Sequence, residues 1–441
     1  MLTVVLKAII FVTCGIQLVT TTESDRGLIV NIATTSMIKQ ATTVPIAEDG
    51  TPNLDSIRSK KPFNNVDFVS VDGDYTLQQA YAYDRYTRTI YKNSNFTIEL
   101  SGPNIWTPLH KGLSKAYVKL SVDWISHNIY WTDPEYKWIM VQSLLGNDTS
   151  MYCVLIHDNL HGPQGLALDP IEALLFWSDI GTSTKIEVSS LSGRNRKSLI
   201  SSNLLNPCSL AADYASRRIY FVDQGRFTLE TVTYEGRDRK VVLKKPETKF
   251  LDIALFKDYL YVTDWRLRGM YFFNKTNGKE LRKSWSERAV RYYGVAVFAP
   301  DEQLVPAKAH CPSLGCEHIC VTEKDSASCL CKDGYTLDQD MKTCSLNNES
   351  LHRALIFSNE SSVCIVDIRI LTHFAFLPVC ILETSGTKYM SMDTDDRQMI
   401  LANDTAIYWA RVDNPELQML TEITGTISGK FSYDLFNYFH T

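Results

Sequence analysis

The chain has 441 residues, of which 44% are hydrophobic and 11% aromatic, enough for two or three domains with a sizeable packed core. Its net charge of −5 and pI of about 6.0 imply no strong polyelectrolyte partner and give nucleic-acid binding no support. Helical signals are sparse, whereas Tyr, Phe, Val and Ile runs broken by Asn, Asp, Gly and Ser are frequent, as in an all-β extracellular protein.

At the N-terminus Lys7 precedes an apolar run from Ala8 to Val19, and small polar residues follow from Thr20 to Ser24, the pattern of a signal peptide over residues 1–22. No later stretch reaches the roughly 18–20 apolar residues needed to span a bilayer. The longest candidate, His373 to Leu382, is far too short. Sequons at Asn95, Asn147, Asn274, Asn348, Asn359 and Asn403 agree with a secretory route and predict glycosylation at strand ends or turns. Residues 27–40 (GLIVNIATTSMIKQ) read as two short strands, and the polar, turn-rich stretch from Pro45 to Asn65 as a long loop.

A repeat follows. In SVDWISHNIYWTD, Ile129 to Asp133 is a β-branched and aromatic strand ending on a turn-forming Asp, and Asp123 stands six residues before Ile129. The same offset separates Asp169 from Leu175 and Asp213 from Ile219. A looser copy, IALFKDYLYVTD, ends at Asp264, and a decayed one, AYAYDRYTRTIYKNS, keeps Asp84, Ile90 and Tyr91. With Tyr91, Tyr130, Phe176, Tyr220 and Tyr261 as phase markers the steps are 39, 46, 44 and 41 residues, the period of a propeller blade.

Five units therefore run from about Tyr75 to Gly278. Each has an inner strand (LALD, LAAD), the aromatic strand, a third strand (KIEVSSL, TLETVTY) and a fourth (RKSLI, RKVVL) after turns at Gly193 and Gly236. Tyr292 to Phe298 (YYGVAVF) reads as an inner strand without outer partners, and residues 27–40 as outer strands without an inner one. Joining them makes a sixth blade and closes a ring over residues 27–300, which removes exposed edges. Tyr130, Trp131, Phe176, Trp177 and Tyr220 are expected in the core, and Asp133, Asp179, Asp223 and Asp264 as structural hydrogen-bond acceptors.

Cys311, Cys316, Cys320, Cys329, Cys331 and Cys344 then fall within 34 residues, spaced C-x4-C-x3-C-x8-C-x-C-x12-C. Six cysteines allow fifteen pairings. A module of this size, over residues 308–345, needs such staples to hold together. A zinc reading with His310 and His318 sits poorly with an oxidising compartment. Cys364 and Cys380 can pair with each other. Cys153, in an outer strand, and Cys208, opening an inner strand two units on, are poorly placed for pairing, so one or both are expected as free thiols. After Cys344, RALIFSNESSVCIVDI, YMSMDTDDRQMILAND and AIYWARV restart the pattern over residues 351–441, as a partial and truncated second ring.

The IYWTD-type repeats look like the YWTD propellers of the low-density-lipoprotein receptor family, over roughly residues 27–300. The cysteine spacing resembles an EGF-like module, which implies the bonds Cys311–Cys320, Cys316–Cys329 and Cys331–Cys344. The preceding PAKAH lacks the acidic pattern of calcium-binding members. The order of propeller, EGF-like module and second propeller, with no cysteine in residues 23–152, resembles the Arrow-type Wnt co-receptors. The resemblance implies binding of Wnt ligands and of antagonists of the Dickkopf and sclerostin type, outside the cell or at its surface. The face it implies carries Gln78, Gln79, Gln164, Cys208, Asp252 and Tyr293 before the inner strands, and Glu135, Tyr136, Arg226, Trp265 and Arg266 after the aromatic strands. Four positions depart from that family: Gln78 and Gln79 replace an acidic pair, Cys208 an asparagine that captures an Asn-x-Ile ligand, and Gln164 an arginine.

A nidogen-type matrix protein, which would take laminin, is the alternative reading. An enzyme is not expected, and no cofactor or metal is implied. There is no G-x-S-x-G elbow and no H-E-x-x-H, and His110, His127, His157 and His161 show no ligand spacing. His127, beside the aromatic strand, raises the option of a pH-dependent contact.

Overall fold

The computed structural model describes residues 25–34, 39–47, 58–60, 67–94, 106–146, 148–267, 269–285, 291–299, 303–304, 311–346, 354–358, 361–367, 379–384, 386–393, 398–411 and 417–422. The signal segment and the sequons at Asn95, Asn147, Asn348 and Asn359 lie outside the described residues. Among the described residues the architecture is all-β apart from one short helix, Cys311–Leu314.

Four-stranded antiparallel sheets repeat along the chain. The second sheet is Phe68–Asp74, Gln79–Asp84, Thr89–Asn93 and Trp106–Lys111, and the third is Lys119–Asp123, Asn128–Asp133, Trp138–Ser143 and Tyr152–Ile156. The fourth is Pro163–Asp169, Leu174–Asp179, Lys185–Ser190 and Lys197–Ile200, and the fifth is Pro207–Asp213, Arg218–Asp223, Thr228–Thr233 and Lys240–Lys244. The sixth is Phe250–Phe256, Tyr259–Asp264, Gly269–Asn274 and Glu280–Trp285. The first sheet is composite: Arg291–Phe298 pairs with Asp25–Thr34, which pairs with Lys39–Ala47, which pairs with Arg58–Lys60. The inner strands of the six sheets touch in cyclic order, from Arg291–Phe298 through Phe68–Asp74 to Phe250–Phe256 and back, around a cavity of about 100 Å³.

The aromatic strands are buried at every position after the first, and Asn128–Asp133 at all six, because both faces of each sheet are covered by a neighbour. Asn128–Asp133 shows no exposed residue, and Trp131 and Trp177 are fully buried. Such strands lose the apolar–polar alternation of a half-solvated sheet and read as continuous runs.

Two expectations are corrected. The N-terminal strands reach Ala47, and a third strand, Arg58–Lys60, lies inside the segment read as loop. Pro45 is tolerated because that third strand covers only Ala41 to Thr43, so the missing N–H costs no ladder bond on that side. The second correction concerns phase in the second sheet. Asp84 ends its aromatic strand, Gln79–Asp84, and Ile90 and Tyr91 belong to the third strand, Thr89–Asn93. The true inner strand is Phe68–Asp74, so Asp74 and Tyr81, not Asp84 and Tyr91, match Asp123 and Tyr130.

The cysteine module carries the bonds Cys311–Cys320, Cys316–Cys329 and Cys331–Cys344. It packs on the third sheet: Ile319 and Val321 join a buried cluster with Tyr130, Ile139 and Cys153. Polar contacts fix the register, with Asn128 Nδ2 donating to Cys320 O at 2.6 Å, Val154 N to Asp333 Oδ1 at 3.0 Å and Asp333 N to Tyr152 O at 3.0 Å. Beyond the module lie a three-stranded sheet (Ala354–Ser358, Ser362–Asp367, Val379–Glu383) and a four-stranded one (Tyr389–Asp393, Gln398–Ala402, Ala406–Arg411, Gln418–Glu422). Cys364 is disulfide-bonded and stands opposite Cys380 in the strand register.

Candidate functional site: the face at the inner-strand starts

One rim of the ring is shaped by the aspartates that end the aromatic strands. Asp133 accepts the N–H of Ser114, before the inner strand, and those of Glu135 and Tyr136, after the aromatic strand. Asp179 does the same for His161 and Gly162, Asp223 for Leu205, Asn206 and Arg226, and Asp264 for Lys249, Arg266 and Leu267. Each carboxylate therefore pins two loops together, and these loops make the face. Burial raises the Asp133 and Asp264 carboxyls against the pull of their hydrogen bonds, so these groups serve structure.

At the centre of that face a salt bridge crosses the ring. Lys119 Nζ, on the third sheet, lies 2.5 and 2.6 Å from the two oxygens of Asp252, on the sixth, and these sheets stand opposite each other. Asp252 also accepts Ser209 Oγ at 2.6 Å and Val295 N at 2.9 Å, so four sheets meet at one carboxylate. Below it the lumen contains Asp72, which burial pushes up to about 6 against hydrogen bonds from Gly73 and Val122. The far end is covered by Trp124, whose Nε1 donates to Leu304 O at 3.1 Å, and by Gln303, held to Gly73 and Tyr75. The Lys119–Asp252 bridge thus crosses one end of the lumen, and Trp124 and Gln303 lie at the other.

Beside the bridge stands a cation–aromatic cluster. Arg85 donates to Asp67 from Nε at 2.9 Å and Nη2 at 2.6 Å, and its guanidinium lies 5.3 Å from the Tyr117 ring centre and 5.8 Å from that of Tyr293. Tyr117 and Tyr293 are tilted against each other at 5.9 Å. Burial alone would lower Arg85, but Asp67 outweighs it and holds the guanidinium firmly charged. Trp265, half-buried, lies under Lys249 at 5.8 Å. Tyr86 and Leu205 are exposed on the same rim at 70% and 62%.

The structure distributes the residues expected on this face unevenly. Gln164, Cys208, Asp252 and Tyr293 lie at the inner-strand starts, and Glu135, Tyr136, Arg226, Trp265 and Arg266 in the turns after the aromatic strands, all on one rim. Gln78 and Gln79 do not: they sit in the turn between the first two strands of the second sheet, at the opposite rim, because the phase of that unit is shifted. Asp252, Tyr293 and Tyr136 are at most 8% exposed, so they support the face rather than present themselves as anchors. Cys208 and Cys153 are both unpaired, and Cys208 Sγ points at the carbonyls of Val222, Phe250 and Leu251, with burial pushing the thiol up to about 12. Asp67, Arg85, Tyr117 and Lys119 are the residues that sequence reasoning missed. The correct phase, counted from Asp74 and Tyr81, places Arg85 one step after Asp84, as Trp265 follows Asp264.

His127 lies on the opposite rim with Nδ1 2.6 Å from Asp74 Oδ2, and that hydrogen bond, together with the Asp74 charge, raises it above the ordinary histidine range. His318 approaches Cys331 and Cys344, but those sulfurs are joined in a disulfide.

Residues 173–214 match the model of the low-density lipoprotein receptor repeat class B family. The vitellogenin receptor Yl of Drosophila melanogaster is 33% identical over 56% of this chain and 12% of its own length. The vitellogenin receptor of Solenopsis invicta is 29% identical over 54% of this chain and 13% of its own length. The chain thus spans about an eighth of these relatives. A nidogen structure solved with laminin shares the fold, with a TM-score of 0.54 and 22% identity over 62% of this chain and 98% of that one. These are non-enzymatic propellers, and the nidogen likeness speaks to fold alone. The chain is thus similar to the low-density lipoprotein receptor class B repeat over residues 173–214 and to receptor relatives over about half of its own length.

Proposed function

We propose that this chain is an extracellular ligand-binding ectodomain module, a six-bladed propeller with its EGF-like module, that captures a secreted protein through the face at the inner-strand starts. One observation carries the reading. Lys119–Asp252 crosses the mouth of the lumen, and beside it a charged Arg85 stacks on Tyr117 and Tyr293, with Trp265 on the same rim. Arg, Tyr and Trp are the residue types on which protein interfaces concentrate their energy. No helix among the described residues is long and apolar enough to cross a membrane.

For the ligand class, the names of the two receptor relatives favour a yolk-protein cargo of the vitellogenin type. A Wnt, Dickkopf or sclerostin type of ligand is the second reading, supported by the order of propeller, EGF-like module and further sheets. Its Asn-x-Ile recognition is weakened by Cys208, whose thiol is turned to carbonyls of its own ring.

The test is biolayer interferometry of the secreted full chain against vitellogenin, Wnt, Dickkopf, sclerostin and laminin. Arg85→Ala and Trp265→Ala should each weaken the ligand that binds by about tenfold or more, with melting temperatures near the wild type. Binding untouched by both substitutions, or no binding to any of the five, would overturn the reading. Capture of laminin alone would move the chain to the matrix class.

A further inference from the structure

A net charge of −5 averages over a segregated surface. In the fourth, fifth and sixth sheets the stretches 191–200 (LSGRNRKSLI), 234–245 (YEGRDRKVVLKK) and 274–285 (NKTNGKELRKSW) hold twelve Lys or Arg against three Asp or Glu. The corresponding stretch of the third sheet, 144–156 (LLGNDTSMYCVLI), has neither Lys nor Arg. The excess thus runs over three consecutive outer edges, and the outermost strand of the first sheet, Arg58–Lys60, is basic as well.

The repeat packing joins these edges. Each turn before a fourth strand contains a glycine of positive φ that lies against the outer strand of the preceding sheet. A Cβ on Gly236 would stand 2.6 Å from Leu199 O, and one on Gly278 2.4 Å from Val242 O. Arg237 is thereby carried beside the strand of Lys197, and Lys279 beside the strand of Lys240 and Lys244.

Some of the twelve bases are used internally. Arg196 pairs with Glu187 at 2.6 Å and Arg239 with Glu230 at 2.7 Å, while Lys245 and Lys275 pair with Glu280 and Asp213, each at 2.9 Å. Those pairs hold the outer strands in place. Arg194, Lys197, Arg237, Lys244 and Lys279 are left pointing out, with Lys240 shared with Asp238 at 2.7 Å. Sheets stacked at about 10 Å give this belt a length of at least about 20 Å.

The chemistry of the belt selects among polyanions. Among its described side chains the exposed apolar ones are Val241 and Leu281, both aliphatic, which offer the bases of a single-stranded nucleic acid no stacking platform. It is built of strand edges, without the amphipathic helix that lies in a membrane interface. A flexible chain carrying sulfates at repeated intervals needs only spaced cations along a line, and sulfate suits Lys and Arg donors. We propose that the outer wall of the fourth to sixth sheets is a binding site for a linear sulfated polysaccharide of the glycosaminoglycan type.

The secreted full chain is to be measured on immobilised heparin across a salt series, with unsulfated heparosan and poly-glutamate as competitors. Saturable binding is expected, weakening linearly on a double-logarithmic salt plot. The triple variant Lys197→Ser, Arg237→Ser, Lys244→Ser should lose affinity at least tenfold and flatten that slope by about two units. Lys111→Ser, Lys342→Ser, Lys388→Ser, equal in charge and placed outside the belt, should stay within twofold, and circular dichroism checks that both triples are folded. The proposal falls if heparin does not bind, if the two triples lose equally, or if unsulfated heparosan or poly-glutamate competes as well as heparin.

Discussion

His110 ends the outer strand of the second sheet with Nδ1 3.0 Å from Gln142 Oε1, its ring tilted against Trp131 and edge-on to Tyr152. Burial in this aromatic pocket lowers it to about 4, against the opposing pull of Gln142. As pH falls from about 6.5 towards that value the unfolded chain takes up a proton that the folded chain refuses, so stability drops. At pH 5 the loss amounts to about 2 kcal/mol. Asp72 works in the other direction. Burial raises it to about 6, so the folded chain binds its proton first, and acidification from about 6 to 3.8 adds stability. Its share at pH 5 is about 1 kcal/mol. Scanning calorimetry at pH 7.5 and 5.0 should therefore separate the variants from the wild type: acidification should lower the melting temperature less in His110→Gln, and more in Asp72→Asn, than in the wild type. Identical profiles in all three proteins would remove both assignments.

At the scale of the strand and its turns, the same device ends both of the first two strands of a sheet. Asp123 accepts the N–H of Ile125 and Ser126, Asp133 those of Glu135 and Tyr136, and in each case four residues separate the Asp from the next strand. A degenerate copy can thus be read in two phases, which is how Asp84-x5-Ile90-Tyr91 passed for Asp123-x5-Ile129-Tyr130. The repeat, the aromatic strands and the composite sheet were legible because burial on both sides demands continuous apolar runs. The Lys119–Asp252 bridge and the contact of Arg85 with Tyr293 were not, because they join residues 133 and 208 positions apart on different sheets. The aromatic strand itself is structural. Trp131→Ala should cost about 3–5 kcal/mol, read as a lower urea midpoint, because no solvent reaches the site to fill the space. The fraction that stays folded should bind ligand with unchanged affinity; a weaker Kd at full folding would assign Trp131 to the ligand.

The whole molecule depends on contacts that no local pattern announces. Ser126 Oγ meets Thr322 Oγ1 at 2.5 Å across 196 residues, and Lys324 reaches Glu172 on the fourth sheet at 3.3 Å. The EGF-like module is thereby clamped over the outer part of the third sheet, and Val321 and Ile319 close the cluster that holds Cys153. Burial pushes that thiol well above its ordinary range, so its inertness measures how tightly the module is seated. In the native chain neither Cys153 nor Cys208 should react with a thiol-disulfide reagent such as Ellman's. Val321→Asp puts a carboxylate into the seam without touching any of the module's three disulfides. It should release the module from the third sheet and make one thiol reactive, while the melting of the ring shifts little. Peptide mapping should find the label on Cys153 and not on Cys208, since the latter is guarded by carbonyls of the ring itself. Labelling of both together would mean that the ring opens when the module leaves, and that the module is a strut of the propeller rather than a cap on it.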